Sequence, residues 1–258
     1  MTEPTPDYEA CRRDGILRIR REGVEWLSTG AGGGRTRAAC AYNVSVPEGW
    51  ARTDLAAYVD ERLERAGFDV GGADASSERP PALLTGVDIA DARGARCGPV
   101  TAYATAGVSN PAALPMEPPG GSLPDSLEPA TDDDRSPPGT VNVIVGTTRS
   151  LPDGALANLI AVTAEAKAAT LLETTGFPGT TTDAVVVGHD PDGQSTRFSG
   201  SGTAVGAATR ACVREAVRAS LAAHYEDHDV GCPTSVEEAT YGVSTDVRAT
   251  VFEPSTLE

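Results

Sequence analysis

Lys167 is the only lysine among 258 residues, and its surroundings suit it to chemistry rather than to solubility. At about 100° per residue, Leu156, Leu159, Ile160, Thr163, Ala166, Thr170 and Leu171 gather on one face of a helix, with Lys167 in the middle. Glu165 falls on the opposite face, aligned with Asn158, so Glu165-Ala166-Lys167 is not a local ion pair. An ammonium among apolar side chains is costly unless it is paired or neutralised. Two readings follow. In the structural one, Lys167 snorkels at the stripe's edge or closes a buried ion pair. In the chemical one, it is a general base or a cation that stabilises an oxyanion. Asp183 and Asp88, which follow threonines at strand positions, are the natural sources of opposite charge.

A hydroxyl nucleophile beside Lys167 would come from Thr180, Thr181, Thr182, Ser201 or Thr203, in a Ser/Thr–Lys arrangement. Direct attack by water is equally open. The candidate catalytic set is therefore Lys167, Asp183, Asp88, Glu165 and Thr182. The chain has four Asn and one Gln, and Asn43, Asn110, Asn142 and Asn158 lie at strand ends, in turns or on the Lys167 helix. In so Asn-poor a chain this placement suggests hydrogen-bonding duties, although caps and left-handed turns explain such positions as well. Asn43, Ser109, Asn110, Asn142, Thr180, Ser201, Gly202 and Thr203 form the candidate substrate-binding set.

Other chemistries find less support. Gly200-Ser201-Gly202-Thr203-Ala204-Val205-Gly206 opens a helix and could cradle an anion on backbone N–H groups. It lacks the βαβ setting and downstream acid of a dinucleotide fingerprint, and neither it nor Thr29–Gly34 carries a Walker lysine, so tight-turn geometry is the better reading. A phosphate-binding transferase is accordingly a weak third class. A Ser-His-Asp triad is improbable: His189 sits in an apparent hairpin turn, His224 and His228 sit at a helix end, and none adjoins a G-x-S-x-G elbow. Cys11, Cys40, Cys97, Cys212 and Cys232 lie far apart with no C-x-x-C, which argues for reduced thiols and against a zinc site.

Charge bounds the setting. Asp and Glu total 37 against 21 Lys and Arg, a formal charge of −16, which repels phosphate backbones and disfavours a nucleic-acid partner. Acid excess with vanishing lysine reads as a halophile's solubility adaptation, with high-GC codon bias as the plainer co-explanation. No apolar run is expected to span a bilayer, and Met1-Thr2-Glu3-Pro4 does not resemble a signal peptide, so a cytoplasmic protein without a membrane partner is expected. The oligomeric state stays open.

The elements that must position these residues are legible in outline. Ile16–Arg20 and Val24–Ser28 read as a hairpin around Arg21-Glu22-Gly23, followed by a strand through 41–46. Thr53 or Asp54 caps a helix ending near Gly67; strands are expected over 83–89 and 100–105. Seven of residues 115–139 are Pro and six are acidic, so a flexible surface insert is expected there. A strand over 141–145, a helix from Asp153 to about Glu173, strands over 184–187 and 196–199 around a His189–Gly193 turn, and a helix from Ala204 to His224 complete the pattern. Val247, Ala249 and Val251 alternate like an edge strand over 246–252.

Asn43 and Asn142 each begin a strand and each precede a helix-starting Asp by 11 residues, a faint repeat that fits two β-α-β-β units. The expected class is α/β, with α+β as the alternative: a mixed sheet layered with two long helices. Residues 1–228 form one domain with the 115–139 insert, and 229–258 a C-terminal tail with the edge strand.

Several segments together resemble the adenosylcobinamide amidohydrolase family. They are Trp26-Leu27-Ser28-Thr29-Gly30 with Gly32–Gly34, Asn43-Val44, Thr85-Gly86-Val87-Asp88 and Thr105-Ala106-Gly107-Val108-Ser109-Asn110. Downstream come Pro138-Gly139-Thr140-Val141-Asn142, Thr163-Ala164-Glu165-Ala166-Lys167, Gly179-Thr180-Thr181-Thr182-Asp183-Ala184 and Gly200-Ser201-Gly202-Thr203. Each is weak alone; in order, across about residues 15–224, they are specific. The resemblance implies hydrolysis of the amide joining aminopropanol to a corrin ring, releasing adenosylcobyric acid for cobalamin salvage. It implies a corrinoid substrate and no cofactor, metal or nucleotide. A corrinoid-binding protein without hydrolysis is the alternative.

Overall fold

The structure is a computed structural model that describes residues 8–47, 50, 52–68, 78–123, 139–226, 231–239 and 241–256. Most of the expected insert, residues 124–138, lies outside them, as does His228.

The first strands are β1 (Glu9–Arg13) and β2 (Ile16–Arg20), joined by Asp14 (φ 49°) and Gly15 (φ 70°). Positive φ at both central residues is what a two-residue primed hairpin turn needs, and Asp-Gly supplies it cheaply. This corrects the expected hairpin. β2 pairs with β1 and with β5 (Cys40–Ser45), whereas β3 (Glu25–Ser28) and β4 (Gly34–Arg37) belong to the other sheet. Arg21-Glu22-Gly23 is thus a crossing between sheets.

After β5 comes α1 (Leu55–Arg65), whose N-cap Asp54 accepts from the Ala57 N–H at 3.1 Å, and then β6 (Ala82–Thr85). β7 (Arg93–Cys97), which the sequence reading missed, forms a hairpin with β8 (Val100–Ala106). The short β9 (Ala112–Ala113) follows, then β10 (Val141–Ser150), α2 (Asp153–Thr175), β11 (Ala184–Ser195) and α3 (Ala204–Glu226). β11 runs straight through the expected His189 turn: its pairing with β10 jumps from Thr147↔His189 to Arg149↔Gln194 across a bulge. The tail pairs through β12 (Val243–Ser244) with β9, and the expected strand over 246–252 is absent; its alternating residues pair with no strand among the described residues, and Val251 and Phe252 are exposed.

One sheet has the order β1-β2-β5-β6 and the other β4-β3-β11-β10-β8-β7. Alternation along the strands builds four layers. Ile16, Tyr42 and Val44 pack against Tyr58, Val59 and Leu63 of α1. Leu17, Ile19, Trp26, Leu83, Ile144 and Val186 form the core between the sheets. Val141, Val143 and Val145 face the opposite way, against α2 and α3. The class is α/β, as expected, with two stacked sheets in place of one. By composition α2 is long and apolar enough to cross a membrane, contrary to the sequence expectation; its Leu156, Leu159, Val162 and Leu171 are instead buried in the core.

The repeat is visible in topology with shifted boundaries. β1-β2-β5-α1-β6 and β7-β8-β10-α2-β11 share a hairpin, an antiparallel neighbour and a parallel β-α-β crossover. The hairpin precedes each crossover where the sequence reading put it after.

Candidate active site

α2 carries Lys167 on its buried face, with 7% of the residue exposed, and its ammonium contacts Asp183 Oδ2. Asp183 comes from the turn that enters β11. Its Oδ1 accepts from the Val141 N–H at 2.8 Å and from Thr180 Oγ1, and its Oδ2 also accepts from the Thr180 N–H at 3.1 Å. A carboxylate offers about four acceptor positions, and here each has a donor. Gly179 allows the close approach: a Cβ there would stand 2.6 Å from Asp183 Oδ2 and 3.2 Å from Lys167 Nζ.

Beside this pair lies a cluster of hydroxyls and an amide. Thr182 Oγ1 stands 2.8 Å from Thr140 Oγ1 and donates to Gly139 O at 3.0 Å, while Asn110 Nδ2 donates to Thr181 Oγ1 at 2.7 Å. Thr182 is exposed, whereas Asn110 is fully buried, with its Oδ1 unpartnered among the described residues. Thr182, Asp183 and Ala184 form one wall of a cleft of about 630 Å³. Facing them are the Ser28–Thr36 turn, Leu55, Ala56 and Val59 of α1, and the 79–84 segment. Two of the turn's glycines are held by cramping and two by backbone shape: a Cβ at Gly33 would meet Ser28 O at 2.4 Å and one at Gly30 would meet Leu83 at 2.7 Å, while Gly32 and Gly34 take positive φ (65° and 122°).

Of the candidate residues, the structure thus gathers Lys167, Asp183, Thr180, Thr182 and Asn110; Ser109 is their chain neighbour, and its Oγ crowds Gly139. Others have different work. Asp88 is exposed and caps a short 3-10 turn, accepting from the Ala90 N–H at 2.8 Å. Glu165 points outward and meets Arg210 of α3 at 3.5 Å. Thr203 caps α3, accepting from the Gly206 N–H at 3.0 Å, and Ser199 ties that turn to Ala155 and Asn158. Asn158 is nine residues from Lys167, about 14 Å along the axis, so Ser201, Gly202 and Thr203 stand apart from the cluster. Asn43 and Asn142 are buried, at 2% and 1% exposure, and bond to each other at 3.1 Å rather than facing the cleft. Thr140 and Gly179, inside the quoted motifs, were not singled out from sequence, because their roles arise only when β10, α2 and the turn before β11 converge.

The two described histidines, His189 and His224, lie elsewhere. His189 accepts from the Leu151 N–H at 3.1 Å, and burial pushes its pKa below the ordinary value, with Glu25 opposing. His224 Nδ1 lies 2.9 Å from Asp91 Oδ2. Among the described residues no group of three or more His, Cys, Asp or Glu could hold a metal.

The profile of the adenosylcobinamide amidohydrolase family matches residues 2–229. A Halobacterium salinarum protein named adenosylcobinamide amidohydrolase is 56% identical over 247 residues, covering 96% of this chain and 100% of that one. A Methanosarcina mazei protein of the same name is 27% identical over 219 residues, covering 81% of this chain and 95% of its own. A Pyrococcus horikoshii protein of known structure aligns over 83% of this chain and 78% of its own, at 12% identity and a TM-score of 0.42, too loosely to carry an argument. The buried pair, the threonine cluster and the glycine-rich turn all fall inside the matched span, and the chain belongs to the adenosylcobinamide amidohydrolase family.

Proposed function

We propose that this chain hydrolyses the amide joining aminopropanol to the corrin of adenosylcobinamide, releasing adenosylcobyric acid in cobalamin salvage. The observation that carries the reading is the family match along residues 2–229. The cleft wall formed by Thr182 and Asp183, opposite the glycine-rich turn, supports where the chemistry takes place.

With its acceptor positions filled, Asp183 is an organiser: it closes the Gly179–Asp183 turn on the Thr180 N–H and holds it against the Val141 N–H of β10 and Lys167. On the Asp183 wall, Thr182 is the hydroxyl that lines the cleft. Its polar neighbours are Thr140 Oγ1, Gly139 O and Asn110 Nδ2, none of them a base, so it orients the reactants and water attacks. The water oxygen bonds to the amide carbon, the C–N bond breaks, and the amine leaves with a proton. Gly30 and Gly33 spend their N–H groups on Ser28 Oγ and Gly30 O, which leaves those of Ala31 and Gly32 to receive the oxyanion. The setting is a salt-rich cytoplasm, and nucleic acid and membrane are not partners. Purified protein in molar KCl is expected to release aminopropanol from adenosylcobinamide; tight binding without release would instead make it a corrinoid carrier.

A further inference from the structure

Asn142 stands at the start of β10, in register with Ala184 of β11 and Thr105 of β8. Its Oδ1 accepts from the Ala184 N–H at 3.2 Å. Its Nδ2 donates to Leu84 O at 2.8 Å and to Asn43 Oδ1 at 3.1 Å. Asn43 Nδ2 in turn donates to Thr105 Oγ1 at 2.8 Å, and Thr105 approaches Thr85 Oγ1 at 3.4 Å. Two features set this chain of bonds apart from ordinary core filling. Ala184 and Leu84 line the cleft from different sheets, so one side chain ties together two cleft walls. Val141, the residue before Asn142, donates its N–H to Asp183, so consecutive residues of β10 fix consecutive residues of the cleft wall. Buried amides in an otherwise apolar layer are costly unless satisfied, and these two satisfy each other. They also occupy matching places in the two repeated units, each 11 residues before the Asp at the start of its helix.

The geometry points to Asn142, supported by Asn43, as a positioning residue that sets the separation of the cleft walls and the placement of Thr182 and Asp183. It acts through Ala184 and Leu84 and touches no substrate. The inference rests on the functional reading above for its catalytic consequence, and on geometry alone for its mechanical one. Misplacing a reacting group by about 1 Å can cost about 100-fold in rate.

The test compares Asn142→Ala, the milder Asn142→Ser, Asn43→Ala and the double alanine variant with Val213→Ala, a core truncation on α3 remote from the cleft. Aminopropanol release per folded protein is measured together with amide hydrogen exchange at Ala184. The expected result is a fall in kcat of about 10- to 100-fold for Asn142→Ala, a smaller one for Asn142→Ser, and a double variant no worse than the worse single one. Exchange at Ala184 accelerates in both Asn142 variants, while Val213→Ala keeps wild-type kcat and Ala184 protection. Unchanged exchange at Ala184, or faster exchange with unchanged kcat, overturns the inference. Should wild-type protein release no aminopropanol, the functional reading fails by itself; Ala184 exchange is then read against the Kd for adenosylcobinamide, and an unchanged Kd overturns the positioning role.

Discussion

At the contact of Lys167 with Asp183 two opposite charges leave water together, and the donors on the carboxylate offset part of that cost. Removing one partner strands the other: Lys167→Met is expected to destabilise the fold by about 3–5 kcal/mol and to abolish aminopropanol release. Thermal melts and turnover check both, and a Lys167→Met protein with full activity would end the reading of this pair as the organiser of the site. Glu165, by contrast, makes an exposed pair with Arg210, worth about 0–1 kcal/mol, so Glu165→Gln should leave turnover and melting nearly unchanged. His189 has a folded pKa pushed below the ordinary value, chiefly by burial, with Glu25 opposing. Unfolding lets it take up a proton below its ordinary value of 6.5, so its contribution is complete above that pH and is lost as pH falls toward the folded value. Melting temperature should drop over that window, and His189→Gln should flatten that part of the profile.

At the scale of elements, the glycine-rich turn between β3 and β4 is the most brittle part of the site. A Cβ at Gly33 would meet backbone oxygens of Ser28 and Gly30, atoms that cannot swing aside. Gly33→Ala is expected to distort the turn and cut kcat about 100-fold, with far-UV circular dichroism unchanged because the sheets persist. The helices were the elements most readable in sequence. The Asp54 cap and the buried face of α2 fall where periodicity put them, because a helix's pattern is local. Strand partners were not readable. The segments flanking Arg21-Glu22-Gly23 look like a hairpin, yet β2 and β3 enter different sheets, since pairing depends on which edges the rest of the chain leaves open. Residues 246–252 have the right alternation but pair with no strand among the described residues.

Across the whole molecule, the acidic excess of 37 over 21 is a statement about solvent. Like charges repel less as salt screens them, and the Debye length falls to about 3 Å at 1 M. Melting temperature should therefore rise steeply from dilute buffer to molar KCl; a flat or falling dependence would discard the salt-adapted reading. The sequence by itself determined the lone lysine's place on an apolar helix face, the two long helices, the Asn-to-Asp spacing of the repeat and, through ordered motifs, the family. These follow from composition, helical periodicity and local segments. Tertiary structure decided the rest: that Asp183 and not Asp88 answers Lys167, that Glu165 meets Arg210 of α3, and that Asn43 and Asn142 bind each other across two stacked sheets. The reason is physical. A charge or an amide chooses its partner from whatever lies within about 3 Å once the strands have paired, and residues 99 apart in sequence meet only there.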